Sequence, residues 1–367
     1  MLFRTITLNN LNKPKILLAG IAKNEAAYLT EWCFHHLRLG IEGIMVYVNN
    51  TTDNSTAVLD KIGQNHNVHY QVVDGIEDRV DEQMSALIHP NYLRRTPLQA
   101  ASYADIYRST DSSEYDYILY LDIDEFLMPT SPINEVFQTR KEAYYFKWFS
   151  CTGDAKTFSE MPENLNGEYD EFTKSMVKTG LNNIHFISPH TVKVDKCEFK
   201  IEQETLVLHR VLRSVEEYKA MILRSTPSVT HRMKNGMKLN RKGWTQKHSE
   251  SLQASNYFTL EDYHTKLEKF ASDNGVNQEI DLARQSILAR SKEFSDYISE
   301  LNFINSEVIK VLPGTGLKHL SLTNILKQLA ITVFTRVFFP SLAIKHTPTS
   351  TYLKERFGLA PKKTHRD

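Results

Sequence analysis

The chain has 367 residues, 41% of them hydrophobic and 24% charged, the balance of a globular protein with room for one large domain or two ordinary ones. Lysine plus arginine and aspartate plus glutamate are equal at 44 each, so no global field recruits nucleic acid. Three scattered cysteines (Cys33, Cys151 and Cys197) exclude a disulfide framework or a zinc knuckle and fit a reducing, cytoplasmic setting.

Residues 1–13 carry no apolar core of signal-peptide length, so export by that route is not expected. Ile16–Ala22 is a short apolar run, and residues 25–39 follow at helical spacing (Leu29, Trp32, Cys33, Leu37) with Gly40 at the stop. Gly43–Val48 reads as a second buried strand, and residues 49–54 as a cap-rich turn into a helix over 55–62. Residues 68–73 make a third strand. Thr96-Pro97 opens another helix, with the hydroxyl as N-cap and proline in the first turn. Residues 115–121 then form a strand that runs into Asp122-Ile123-Asp124-Glu125-Phe126. This alternation predicts an α/β fold with a mostly parallel, Rossmann-like sheet flanked by helices. Three polar groups fall at strand ends, where such sheets gather ligands: Lys23-Asn24-Glu25, residues 49–54, and Asp122-Ile123-Asp124.

Past residue 130 the pattern changes to shorter strands over 143–149, 173–178, Thr191–Val194 and 205–211. Ser214-Val215-Glu216-Glu217 is a capping box opening a helix to about Arg224, and from Leu260 the chain is mainly helical and charged. The expected organisation is a catalytic domain over 1–225, a helical and basic extension over 226–320, and an apolar helix with a basic tail over 321–367. The basic stretch at 224–253, with Arg232, Lys234, Arg241 and Lys242, is either a solvated loop or a contact for acceptor or lipid phosphate. Residues 324–339 either dock on the catalytic domain or lie in a membrane interface at the inner face, where Lys345, Lys354 and Arg356 favour anionic lipid. No uncharged apolar stretch of spanning length occurs.

Alternation along a strand puts Asp122 and Asp124 on one face. Two such carboxylates repel, and Mn²⁺ or Mg²⁺ relieves the repulsion while binding a diphosphate and stabilising it as a leaving group. A bare Asp-x-Asp recurs on many surfaces. Its place here, closing an apolar strand after three strand–helix units, is what gives it weight.

The stretch Ala22-Lys23-Asn24-Glu25-Ala26-Ala27-Tyr28-Leu29-Thr30-Glu31-Trp32 resembles the opening motif of the family 2-like glycosyltransferases, close to the group shared with family 92. The resemblance continues through His35-His36-Leu37-Arg38-Leu39-Gly40-Ile41 and Val46 to Thr56. It includes Leu121-Asp122-Ile123-Asp124-Glu125-Phe126-Leu127, and ends in Leu208-His209-Arg210 with the later Ser214-Val215-Glu216-Glu217-Tyr218. It implies a GT-A fold, a nucleotide-diphosphate sugar donor (usually a UDP-sugar), a glycan or glycolipid acceptor, Mn²⁺ or Mg²⁺, and inversion.

By the same resemblance Ala22, Asn24 and Glu25 match the first nucleotide loop, and Asp53 matches an acid of the next; Asn50 stands where an acid is commoner. Glu25 and Asp53 also suit helix capping. A later histidine often completes the metal shell in such enzymes, and His190 and His209 are the candidates, with His185 a third. Asp154 is the leading candidate for the base that takes the acceptor proton, ahead of Glu160, Glu163, Asp170 and Glu171. Arg95, Lys178 and Arg213 are either diphosphate partners or surface ion pairs. Two other classes stay open: a catalytically silent nucleotide-sugar or glycan-binding module, and an Asp-dependent phosphotransferase.

Overall fold

The computed structural model describes residues 13–137, 140–154, 156–196, 199–224 and 243–300. The elements in chain order are β1 (Ile16–Ala22), α1 (Ala26–Arg38), β2 (Gly43–Val48), α2 (Ser55–Gly63), β3 (Val68–Val72), α3 (Glu82–Leu87), α4 (Pro90–Arg95), α5 (Pro97–Ser109), β4 (Tyr117–Tyr120) and β5 (Glu125–Met128). Then come α6 (Ile133–Val136), β6 (Ala143–Cys151), β7 (Asn164–Lys178), β8 (Ile184–Ser188), β9 (Thr191–Val194), β10 (Phe199–His209), α7 (Val215–Arg224), β11 (Glu250–Gln253), α8 (Leu260–Asp273) and α9 (Asn277–Glu300).

Among the described residues one sheet runs β3-β2-β1-β4-β7-β6-β10-β5, with β11 added against β7. Its first four strands are parallel, as the alternating pattern predicts. The other half is mixed: β7 is antiparallel to β4, β6 and β11, while β10 is parallel to β6 and antiparallel to β5. The sheet is therefore less parallel than expected. β6 returns into its neighbour β7 with no helix between them, and such a return reverses direction.

Period-two alternation sorts β1 between two cores. Ile16, Leu18 and Ala22 join a cluster under α1, α2 and α8; Leu17, Ala19 and Ile21 join one under α3, α4, α5 and the β8–β9 hairpin. Each fully buried aliphatic side chain contributes roughly 1.5–3 kcal/mol. Beyond residue 225, β11 extends the same sheet and Tyr263, Leu267, Ala271 and Ala283 enter the first core. Residues 321–367, with the expected apolar helix, lie outside the described residues, as do 225–242 of the basic stretch. Among the described residues no helix is long and apolar enough to cross a membrane.

Candidate active site

Two loops at the carboxyl ends of β1 and β2 are bolted together. Asn24, held at a positive φ of 54°, accepts hydrogen bonds through Oδ1 from Thr52 N (2.6 Å) and Asp53 N (3.0 Å). Asp53 answers across the gap: Oδ2 accepts from Ala26 N at 3.1 Å, and Oδ1 from Ser55 N and Ser55 Oγ. Asp53 thus caps the starts of both α1 and α2, the second of the two roles it was offered. Glu25 makes no side-chain cap; its carboxylate pairs with Arg224 of α7. Asn50 also has positive φ, and its N–H donates to Asp74 Oδ1 at 2.7 Å. Ala22 is fully buried, its carbonyl accepting from Asn49 N.

The strand expected over 115–121 stops at Tyr120, and residues 123–124 form a turn into β5. Asp122 and Asp124 therefore do not share a strand face. The group that converges is Asp124, Glu125 and His209, each with a ligand atom within 4.8 Å of the others. Sheet register explains it: His209, at the end of β10, lies directly opposite Glu125, and Arg210 N donates to Asp124 O at 2.8 Å. His209 Nε2 is 3.6 Å from Asp124 Oδ2. Glu125 Oε1 and His209 Nδ1 are buried with no hydrogen-bond partner, a cost that a cation would remove. Two carboxylates and an imidazole suit Mn²⁺, and Mg²⁺ less well.

Asp122 is not one of the three. Its Oδ2 accepts from Lys174 Nζ at 3.1 Å and its Oδ1 from Gln99 Nε2 at 3.4 Å. Lys174 is wholly buried and also lies 3.0 Å from Glu125 Oε2. Burial opposes its charge, but Asp122 and Glu125 outweigh it and hold the ammonium above the ordinary lysine range. Burial lifts the Glu125 carboxyl well above its usual range, with Lys174 pulling against it. Both Asp122 oxygens being engaged argues against an aspartyl nucleophile.

The lysine singled out from sequence, Lys178, is a correction. It pairs with Tyr117 at the start of β4, four residues (about 13 Å) from the level of Lys174, so it sits at the wrong end of the strand. Arg95 is exposed at the end of α4. Arg213 is buried with its guanidinium carbon 3.9 Å from the centre of the Tyr28 ring. His190 stacks on Phe172 and abuts Trp148, the ring that also packs on His209. Burial first, then Lys174, push its pKa down to about 4. His190 neighbours the Asp124–Glu125–His209 group without joining it, and His185 lies on β8 beside Asp195. Asp154 is committed elsewhere: Oδ2 receives Arg210 Nη2 at 2.9 Å and Ser159 Oγ at 2.8 Å. Arg210 is buried between Asp154 and Glu31, so this carboxylate serves as a counter-ion.

Helix α1 braces the strand that carries Glu125. Trp32 Nε1 donates to Glu125 O at 2.9 Å, His35 Nε2 donates to Leu127 O at 2.7 Å, and Leu127 N donates to His36 Nε2 at 3.2 Å. His36 Nδ1 then carries the proton, donating to Trp32 O. Gly20 makes room for this brace: a Cβ there would stand 3.0 Å from Trp32 Cη2 and 3.2 Å from Leu121 O. Sequence reasoning missed Lys174, Glu125 and this brace. The signal for the brace was present in Trp32, His35 and His36, polar-tipped rings at i, i+3 and i+4 on an otherwise apolar helix face.

Solved structures similar to the chain include S. aureus TarS 1–349 in complex with UDP, at 11% identity, covering 96% of this chain and 94% of that one with a TM-score of 0.32. S. aureus TarS 1–349 matches at 12% identity, 88% and 90% coverage and TM-score 0.30. A longer S. aureus TarS chain matches at 12% identity over 41% of this chain, with TM-score 0.24; the match spans 23% of that chain's length. No curated protein matches the chain in sequence. The family model of glycosyltransferase family 92 matches residues 18–271, a span holding both interlocked loops, the Asp122–Glu125 turn, Lys174 and His209. The chain belongs to glycosyltransferase family 92.

Proposed function

We propose that the protein transfers a sugar from a nucleoside-diphosphate donor, a UDP-sugar by the family resemblance, to a glycan or lipid-linked acceptor, with inversion and with Mn²⁺ or Mg²⁺ at Asp124, Glu125 and His209. The observation that carries this reading is the convergence of those three side chains, two with unpartnered buried atoms, in a chain of a glycosyltransferase family. When bound, the cation supplies charge neutralisation for the departing diphosphate.

The chain's own residues do the rest. Lys174 pairs with both Asp122 and Glu125 and so offsets the repulsion between their carboxylates. Arg224, which pairs with Glu25 and lines the same recess as Asp124, is the cation offered to the phosphates, in place of Arg95 and Lys178. An inverting transfer forms the acceptor O–C1 bond as the C1–O bond to the diphosphate breaks, and the acceptor proton passes to a carboxylate. We assign that role to Asp170, a half-buried acid of β7 whose charge acts on His190 beside Trp148 and Lys174. Asp154, held by Arg210, is the weaker candidate.

The test is a thermal-shift panel of UDP, GDP and CMP and their sugars, each with Mn²⁺, Mg²⁺ or EDTA. Ligand at about a hundredfold its Kd adds roughly 2.7 kcal/mol. A shift with one nucleotide family that EDTA removes supports the donor site. No shift with any of them overturns it, and a shift without turnover of any sugar favours the silent binding module.

A further inference from the structure

A cavity of about 420 Å³ opens between α1, the 158–160 segment, α8 and α9. That is the size of a small-molecule site. Its lining includes Tyr28, Thr30, Phe158, Arg213 and Arg284. The last comes from α9, beyond the segment matched by the family model.

Both arginines are prepared for a ligand. Arg213 lies on Tyr28 and Arg284 on Phe158, at 3.9 and 5.4 Å from the ring centres. A guanidinium stacked on a ring keeps its in-plane N–H groups for an oxyanion. Neither is in an ion pair among the described residues, and each has a buried nitrogen without a partner: Arg213 Nη2 and Arg284 Nε. Thr30 Oγ1, in the same lining, is also buried and unpartnered. The acids nearby do not neutralise the pair. Glu31 is taken by Arg210 and by Met161 N, Glu160 faces His264 at 3.7 Å, and Glu268 and Asp281 are exposed at the rim.

Backbone strain falls in the same place. Among the described residues six non-glycine residues have positive φ. Asn24 and Asn50 belong to the interlocked loops, and Phe158 (55°) and Arg213 (45°) line this cavity. For a bulky aromatic such a φ is a true outlier, and strain of this kind persists where surroundings enforce it. Here they do: Glu217 Oε2 accepts from Phe158 N, while the Arg213 carbonyl accepts from Asp154 N and Trp244 Nε1.

We propose that this cavity is a second ligand site, for a small sugar bearing a phosphate or carboxylate, with Arg213 and Arg284 on the anion and the rim acids on sugar hydroxyls. It shares Tyr28 and Arg213 with the narrow recess lined by Asp124, Glu25 and Arg224. A ligand there lies alongside the donor, as the charged end of the acceptor. That last assignment rests on the transferase reading; the binding does not.

The experiment titrates the full chain, free of metal and nucleotide, with glucose 6-phosphate, glucuronate and glucose by calorimetry. At least one of the two anions is expected to bind and glucose to bind far more weakly, the tighter anion naming the group recognised. Arg284→Gln is expected to weaken that binding by about tenfold or more while leaving the Mn²⁺-dependent UDP response as in the parent chain. No binding by either anion at about 10 mM, equal binding of glucose, or unchanged binding by Arg284→Gln overturns the proposal. Sugar-phosphate binding in a protein that gives no nucleotide response sustains the second site and removes its acceptor role.

Discussion

Lys174 and Glu125 form an ion pair at 3.0 Å in which neither side chain touches solvent. Removing one partner of such a pair strands the other charge in a low dielectric. Lys174→Met keeps the volume and deletes the ammonium, leaving Glu125 and Asp122 in mutual repulsion. The expected loss is about 3–5 kcal/mol of stability, read by urea unfolding. A variant as stable as the parent would show the lysine to be dispensable to the fold.

The two aspartates of the loop are expected to part company. Asp124→Asn removes a member of the converging group and is expected to abolish the Mn²⁺-dependent rise in Tm. Asp122→Asn touches only the support around that group and is expected to weaken Mn²⁺ by roughly 10–100-fold. Equal effects would mean that both side chains contact the cation.

Asp170 and Asp154 are separable in the same way. Asp170→Asn is expected to lower kcat by about 10²–10⁴ with stability near the parent's. Asp154→Asn leaves buried Arg210 with one carboxylate fewer and is expected to cost about 3 kcal/mol of stability while kcat stays close to normal. The opposite pattern, in a kinetic and unfolding comparison of the two variants, would return the base to Asp154.

Burial holds the His35 pKa down to about 4. The unfolded chain, with histidine near 6.5, binds a proton that the folded protein refuses between about pH 6.5 and 4. Stability is therefore full above about 6.5 and falls as the pH drops through that window, by on the order of 3 kcal/mol for this ring. Unfolding free energies from pH 7.5 to 4.5 measure the slope, and His35→Gln should remove about one proton from it. His36, pushed the same way by burial, adds to the effect in the parent chain.

Local pattern made the first half of the fold readable: β1 and β2 carry continuous apolar runs, and the Ser214–Glu217 capping box forms, with Ser214 N donating to Glu217 Oε2. What stayed hidden depends on register between distant strands. Lys174 rather than Lys178 meets Asp122 because β7 runs antiparallel to β4 in one particular alignment, and nothing within either strand states that alignment. Glu125 becomes part of the converging group only once β10 brings His209 opposite it. Asp154 looked free because its partner, Arg210, lies 56 residues on.

The bonds from Trp32, His35 and His36 all end on main-chain atoms of β5. A change of side chain at position 125 leaves these three bonds in place but breaks the pair with Lys174 and the bond from Asp122 N, which the carboxylate accepts at 2.9 Å. One residue therefore divides its work: the carbonyl of Glu125 fastens the strand to α1, and its carboxylate fastens the turn that precedes it.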